Sequence, residues 1–139
     1  MHKYINRLLI ANPGQLRNIE IIRREGFFSA VHLMYWRAFA ELPIVGLASL
    51  ECTDEVSNGA LIRTATIKAQ LLFHGSSVRR NSVYLAECVD GSRFLVGSDR
   101  PPVPLTLKEC VVPDKASQPC QTVITVTLTD TLGILEVIG

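Results

Sequence analysis

Charged residues are scarce in this chain of 139 residues, and neither sign is in clear excess. Asp, Glu, Lys and Arg make up 19% of the sequence, and the formal net charge at pH 7 is +1. Because binding to nucleic acid depends on clustered Lys and Arg, nucleic acid is not an expected partner. The lack of a long acidic run also argues against a disordered acidic tail.

The chain lacks an uninterrupted hydrophobic run long enough to cross a membrane. The most apolar window, Val31–Leu50, contains Arg37, Glu41 and Pro43, whereas a membrane helix needs about 20 mostly apolar residues. The apolar patch Leu8–Ile10 is too short for the core of a signal peptide. We therefore expect neither a membrane partner nor export by a signal peptide.

The four cysteines show none of the spacings typical of metal or redox sites. Cys52, Cys88, Cys110 and Cys120 form no C-x-x-C pair, which is the spacing that zinc sites and thioredoxin-like motifs use. In a chain without a signal peptide, reduced and mostly buried thiols are the expected state. The alternative is a disulfide between Cys110 and Cys120, which flank a proline-containing loop.

No group of residues matches a catalytic or cofactor-binding motif. The three histidines are His2, His32 and His74, and the sequence contains neither a G-x-S-x-G elbow nor an H-E-x-x-H motif. The glycines are scattered, so no glycine-rich loop is present to bind phosphate. We therefore expect no enzymatic activity, no metal and no cofactor.

The clearest feature that the sequence does contain is a β-hairpin over Val83–Gly97. Two apolar runs are separated by Asp90-Gly91, a pair typical of two-residue hairpin turns. In the register of such a turn, six side chains share one face, namely Leu85, Glu87, Val89, Ser92, Phe94 and Val96. Both faces are then largely apolar, so we expect the hairpin to be covered on both sides.

Further strands are predicted along the rest of the chain. Apolar and polar residues alternate over Ala60–Phe73 and Thr122–Thr129, and Ile134–Ile138 is a candidate closing strand. Many short strands separated by Gly and Pro favour a mainly β fold. We expect an antiparallel β-sandwich or a partly closed barrel with at most one short helix, formed as a single β-rich domain over residues 1–139.

The first third of the chain leaves alternatives open. Tyr4–Ile10 and Asn18–Arg23 are predicted strands on either side of a turn at 12–14. Ser29–Glu41 fits a short helix capped by its first residue, and it also fits a strand followed by a loop. Ile44–Glu51 is apolar enough for a further strand.

A series of turns and strands covers about the last two-thirds of the chain. Its parts are Asn58-Gly59, Ile62–Leu72, Tyr84–Val89 with Asp90-Gly91, Phe94–Gly97, Pro101–Pro104 and Thr122–Thr129. This series resembles small β-rich structural proteins that bacterial prophages and phage-like mobile elements encode beside their tail genes. The resemblance implies a structural or assembly protein of a tail-like particle, which acts through self-association and not through catalysis.

The same resemblance implies the partners and the location. The expected partners are further copies of the chain or neighbouring particle proteins, in the bacterial cytoplasm or in an assembled phage-like particle. The candidate interface consists of four hairpin residues, Tyr84, Phe94, Leu95 and Val96, because a hairpin that is apolar on both faces favours a partner. The alternative function is a small-molecule or peptide-binding β module without catalytic activity.

Overall fold

The computed structural model describes residues 2–15, 20–24, 28–32, 39–72, 82–97, 103–111, 121–130 and 134–137. Within these ranges one 3-10 turn, Pro13–Gln15, is the only helical element. The strands are β1 (His2–Ala11), β2 (Glu20–Arg24), β3 (Phe28–His32), β4 (Ala40–Leu42), β5 (Ala48–Ser57), β6 (Ala60–Leu71), β7 (Val83–Cys88), β8 (Arg93–Val96), β9 (Leu105–Val111), β10 (Gln121–Asp130) and β11 (Leu135–Val137). The mainly β fold with at most one short helix is thereby confirmed.

All of these strands belong to one sheet. Its order is β2-β3-β11-β8-β7-β1-β5-β6-β10-β9, and β4 pairs with β1 beside this path. The described strand pairs are antiparallel except for β3 and β11, which run parallel. β1 is central because it pairs with β7, β5 and β4, so the start of the chain joins segments that are distant in sequence.

The sheet curves around the larger of two core clusters. The Tyr84 hydroxyl of β7 lies 2.8 Å from Thr106 Oγ1 of β9, although four other strands separate β7 from β9 along the sheet. The larger cluster contains inward-facing side chains of β1, β5, β6, β7, β8 and β10. The smaller one lies on the opposite face of the hairpin and consists of Leu9, Ala11, Phe39, Val83, Leu85, Leu95, Leu135 and Val137.

The predicted hairpin is present as β7 and β8, but its loop is one residue longer than expected. The Gly91 N–H donates to the Cys88 carbonyl at 3.0 Å, and the Cys88 N–H donates to the Ser92 carbonyl at 2.8 Å. Gly91 supplies the positive φ of this loop, at 91°. The prediction of a two-residue turn is therefore wrong, because residues 89–91 form a three-residue loop with a glycine bulge.

The longer loop shifts the pairing of the two strands by one residue. The observed pairs are Tyr84 with Val96, Leu85 with Leu95, Ala86 with Phe94, and Glu87 with Arg93. Because a shift of one residue exchanges the faces, Phe94 and Val96 lie beside Tyr84 in the larger cluster. The predicted face assignment is wrong, but both faces of the hairpin are covered, as expected.

A two-residue turn occurs instead between β5 and β6. Ser57 pairs with Ala60, and the two residues between them, Asn58 and Gly59, have φ values of 51° and 78°. Two consecutive positive φ values define the type I′ turn, whose twist matches that of the flanking strands. This turn fixes the register of the longest hairpin in the sheet.

Most other predicted strands are confirmed, with small differences at their ends. Tyr4–Ile10 lies within β1, Asn18–Arg23 overlaps β2, and Ala60–Phe73 corresponds to β6. Thr122–Thr129 lies within β10, and Ile134–Ile138 contains β11.

The two remaining segments of the first third have mixed outcomes. The ends of Ser29–Glu41 lie in β3 and β4, so the strand alternative holds there, while residues 33–38 lie outside the described ranges. A strand over Ile44–Glu51 is wrong in its first part, because β5 begins only at Ala48. Gly46 has a φ of 66°, which interrupts the strand.

Candidate assembly surface

Strand β9 lies at one end of the sheet, where it pairs with β10 alone among the described strands. Its residues alternate in burial: Leu105 and Leu107 are 56% and 59% exposed, whereas Thr106 between them is buried. Lys108 and Glu109 are exposed as well. An edge strand with exposed apolar side chains is the surface to which a further strand is commonly added. We call Leu105–Glu109 the β9 edge.

The β9 edge borders a broad sheet face that we call the outer face. The strand registers align side chains of β5, β6 and β10 in rows on this face, beside the leucines of β9. Its threonines are half-buried or exposed, and they are Thr53, Thr64, Thr66, Thr125, Thr127 and Thr129. An antiparallel sheet often leaves one face to solvent. Here that face is mostly polar, with the half-buried Ile62 and Val123 as further apolar residues besides the leucines of the edge.

Two buried contacts hold β9 in place. The Tyr84–Thr106 hydrogen bond joins it to the hairpin across the core. Burial raises the pKa of the Tyr84 phenol, although the bond to Thr106 opposes this rise, so the phenol keeps its proton at neutral pH. Pro104, which precedes β9, packs against buried Gly97: a Cβ on Gly97 would lie only 2.8 Å from Pro104 Cγ. The edge is therefore preformed in the folded chain.

The four predicted interface residues lie elsewhere. Tyr84, Phe94, Leu95 and Val96 are each at most 3% exposed, because other strands of the same chain cover both faces of the hairpin. Their side chains are therefore not available to a partner in this structure. Sequence reasoning missed β9, although the alternation of Leu105 and Leu107 with polar neighbours was the signal that could have found it.

The tip of the β7–β8 hairpin carries a polar cluster. Lys3 Nζ of β1 donates to the Asp90 carboxylate and, at 3.2 Å, to Ser92 Oγ. Asp90 Oδ1 accepts hydrogen bonds from Ser92 Oγ at 2.5 Å and from the Ser92 N–H at 3.1 Å. Ser92 also lowers the pKa of the Cys88 thiol, against the larger effect of burial. The cluster thus combines a lysine, a hydroxyl and a thiol, which are residue types used in nucleophilic catalysis.

The charges of this cluster oppose nucleophilic chemistry. The hydrogen bond with Asp90 raises the pKa of Lys3, so the amine stays protonated and cannot accept a proton. Burial raises the pKa of Cys88, which disfavours the reactive thiolate. The Lys3 and Ser92 hydrogen bonds hold the pKa of Asp90 well below its usual value. The cluster is suited to fastening the hairpin tip to β1.

The described histidines and cysteines lie on different strands, and Cys120, with its alternative disulfide to Cys110, lies outside the described ranges. His2 lies on β1 with Nδ1 3.2 Å from a carboxylate oxygen of Glu51, while His32 lies in β3 and His74 outside the described ranges. Cys52 and Cys88 are buried and form no disulfide. Across the described residues no group of three or more His, Cys, Asp or Glu is placed to hold a metal ion. The same residues include no helix long and apolar enough to cross a membrane.

No known protein family, curated protein or solved structure matches this chain. The resemblance to prophage structural proteins consequently rests on the sequence pattern alone.

Proposed function

We propose that the protein is a structural subunit of a prophage-type, tail-like particle and that it assembles by binding copies of itself. The observation that carries this proposal is the β9 edge, where Leu105 and Leu107 are more than half exposed on a strand at the end of the sheet. Soluble proteins commonly protect edge strands with charges, prolines or a covering element. Pro104, Lys108 and Glu109 protect this edge in that way, whereas Leu105 and Leu107 between them are apolar. Two exposed leucines on such a strand favour pairing with another strand.

The charge of the chain supports association of identical copies. The formal net charge is only +1, so copies repel one another weakly as they approach. On the β9 edge, Lys108 and Glu109 carry opposite charges. Next to the leucines, the rows of threonines give the surface short side chains that lose little rotamer entropy when a partner covers them.

Light scattering coupled to size-exclusion chromatography tests self-association over a concentration series. We expect the mean mass of the wild type to rise with concentration. The variant Leu105→Lys/Leu107→Lys should remain monomeric, because lysines on an edge strand oppose the addition of a strand. The matched control is Val56→Lys/Leu72→Lys, which changes two apolar residues outside β9 that are also more than half exposed and should behave as the wild type.

Two results would contradict self-association through this edge. One is a wild type that stays at the monomer mass up to millimolar concentration. The other is an edge variant that associates as strongly as the matched control. The particle context has a separate test, which is the genomic neighbourhood: tail genes beside the gene would support it, and a metabolic operon would contradict it.

Peptide binding is the second candidate function, because an extended peptide from another protein can pair with the same edge. It predicts a monomer at all concentrations together with saturable binding of extended peptides. The edge variant should lose that binding, while the Val56→Lys/Leu72→Lys control should keep it.

A further inference from the structure

The geometry points to a specific pairing of two copies: their β9 edges lie antiparallel, with Leu107 of each copy opposite Leu107 of the other. This inference rests on the proposed self-association and adds its partner surface, symmetry and register. A pair related by a two-fold axis uses the same surface on both subunits. Applied to one edge strand, such an axis produces an antiparallel ladder of β9 with itself.

The filled core restricts where the axis can pass. Directly opposite residues in an antiparallel pair lie on the same face. Thr106 points into the core side and the neighbouring leucines point to the outer face, so a continuous sheet requires outer-face residues to meet outer-face residues. One residue of β9 must therefore lie opposite itself across the axis. An axis through a residue, in this sense, passes midway between its two copies, and an axis between two successive positions is excluded.

Charge excludes two of the remaining positions. An axis through Lys108 would place this lysine opposite the same lysine of the second copy, and an axis through Glu109 would do the same with two carboxylates. Like charges directly opposite each other destabilise a ladder. Within the β9 edge three positions are left, at Leu105, Thr106 and Leu107. An axis at Leu105 would at once bring Pro104, which has no N–H to donate, opposite Thr106, so Thr106 and Leu107 are the two positions that allow a longer ladder.

The length of the ladder decides between these two positions. An axis through Thr106 pairs only residues 105–107 and then brings Pro104, which has no N–H to donate, opposite Lys108. An axis through Leu107 pairs all of Leu105–Glu109 in both copies. It also places the two Leu107 side chains opposite each other, with each Leu105 on the diagonal, which concentrates the exposed apolar surface in one patch.

The predicted pair is weak when it forms alone. Five paired residues in each copy bury less than the roughly 1,200 Å² of a small stable interface. We therefore expect a dimer that forms only at high concentration and dissociates on dilution. Oxidative trapping of the dimer therefore reports on the register better than a measurement of the dimer's affinity would.

Cysteine cross-linking tests the register directly. We expect Leu107→Cys to form a disulfide-linked dimer under mild oxidation, because opposite residues lie within the Cα–Cα range of disulfides. The matched control is Leu105→Cys, a leucine of similar exposure. In this register its two copies are four residues, or about 13 Å, apart, so it should not link to itself. Peptide mass mapping identifies each bridge and separates it from any bridge between native cysteines.

A double variant, Leu105→Cys/Glu109→Cys, gives an independent reading. In the proposed register residue 105 of each copy lies opposite residue 109 of the other, so the mapped bridges should join 105 to 109. Concentration-dependent mass without these bridges, or with self-linking of Thr106→Cys instead, would overturn the register and leave the proposed self-association standing. A protein that is monomeric and forms none of these bridges would overturn both.

Discussion

Replacing Gly97 by alanine tests how closely the start of β9 packs against the hairpin. Gly97 follows β8, is buried and has a φ of 100°. A Cβ at this position would lie 2.6 Å from Val83 Cγ1 and 2.8 Å from Pro104 Cγ. Neither neighbour is the end of a flexible side chain: Val83 is fully buried, and the Pro104 ring is bonded to its own backbone nitrogen. The added methyl group therefore cannot be accommodated by a local side-chain movement.

Two costs add at this position. A left-handed backbone costs an alanine about 1–2 kcal/mol, and forcing an extra methyl group into a packed core costs about 1–3 kcal/mol. Gly91 provides the matched control, because its φ is 91° and a Cβ there would meet nothing within 4 Å. We therefore expect the free energy of unfolding to fall by about 1–2 kcal/mol in Gly91→Ala and by about 2–5 kcal/mol in Gly97→Ala.

Urea unfolding followed by circular dichroism measures both variants, and unchanged m values would show that the unfolded states are comparable. The informative quantity is the difference between the two losses, because the backbone cost is common to both. Equal losses would refute the close packing of Val83 and Pro104 around Gly97. A Gly91→Ala variant as stable as the wild type would refute the left-handed glycine in the hairpin loop.

Three further predictions concern buried or paired groups. Tyr84→Phe leaves the Thr106 hydroxyl buried without its 2.8 Å partner and should cost about 1–2 kcal/mol in urea unfolding; no loss would contradict the bond. Because the folded pKa of Asp90 is lowered, its stabilisation should be complete above about pH 4, near the unfolded pKa, and should disappear as the pH falls further. The stability difference between wild type and Asp90→Asn should shrink accordingly, and a constant difference would contradict the pairing. Burial raises the pKa of Cys52 and Cys88, so iodoacetamide at pH 8 should label both slowly in the folded protein and rapidly in urea; fast labelling in the folded state would contradict their burial.

Local sequence patterns were sufficient to predict most strands but not the hairpin register. An Asp-Gly pair fits a two-residue turn and also the last two positions of a three-residue loop. In this protein Asp90 accepts hydrogen bonds from Ser92 and from Lys3, and these bonds favour the longer loop. Lys3 is 87 positions away in the sequence, so no local pattern contains it.

The burial of the hairpin was harder to predict for a related reason. Apolar residues on both faces of the hairpin fit contact with a partner and also burial within the chain. The curvature of the sheet brings Thr106 of β9 to Tyr84 of β7, and the hairpin is therefore buried within the chain. Curvature of this kind depends on strand pairing across the whole chain. Exposed Leu105 and Leu107, in contrast, follow a short alternating pattern that is visible in the sequence.

The apolar area on the β9 edge limits how strongly two copies can bind. Leu105 and Leu107 are each more than half exposed, and covering that fraction of a leucine contributes about 1 kcal/mol. The four leucines of a pair thus contribute about 4 kcal/mol, which only offsets the smallest estimate, about 4 kcal/mol, of the freedom lost on association. Net affinity must then come from the backbone ladder and from contacts on the outer face. In the proposed particle many such contacts would act together, so their number and not the strength of any one of them would stabilise the assembly. The isolated subunit should consequently remain monomeric when dilute.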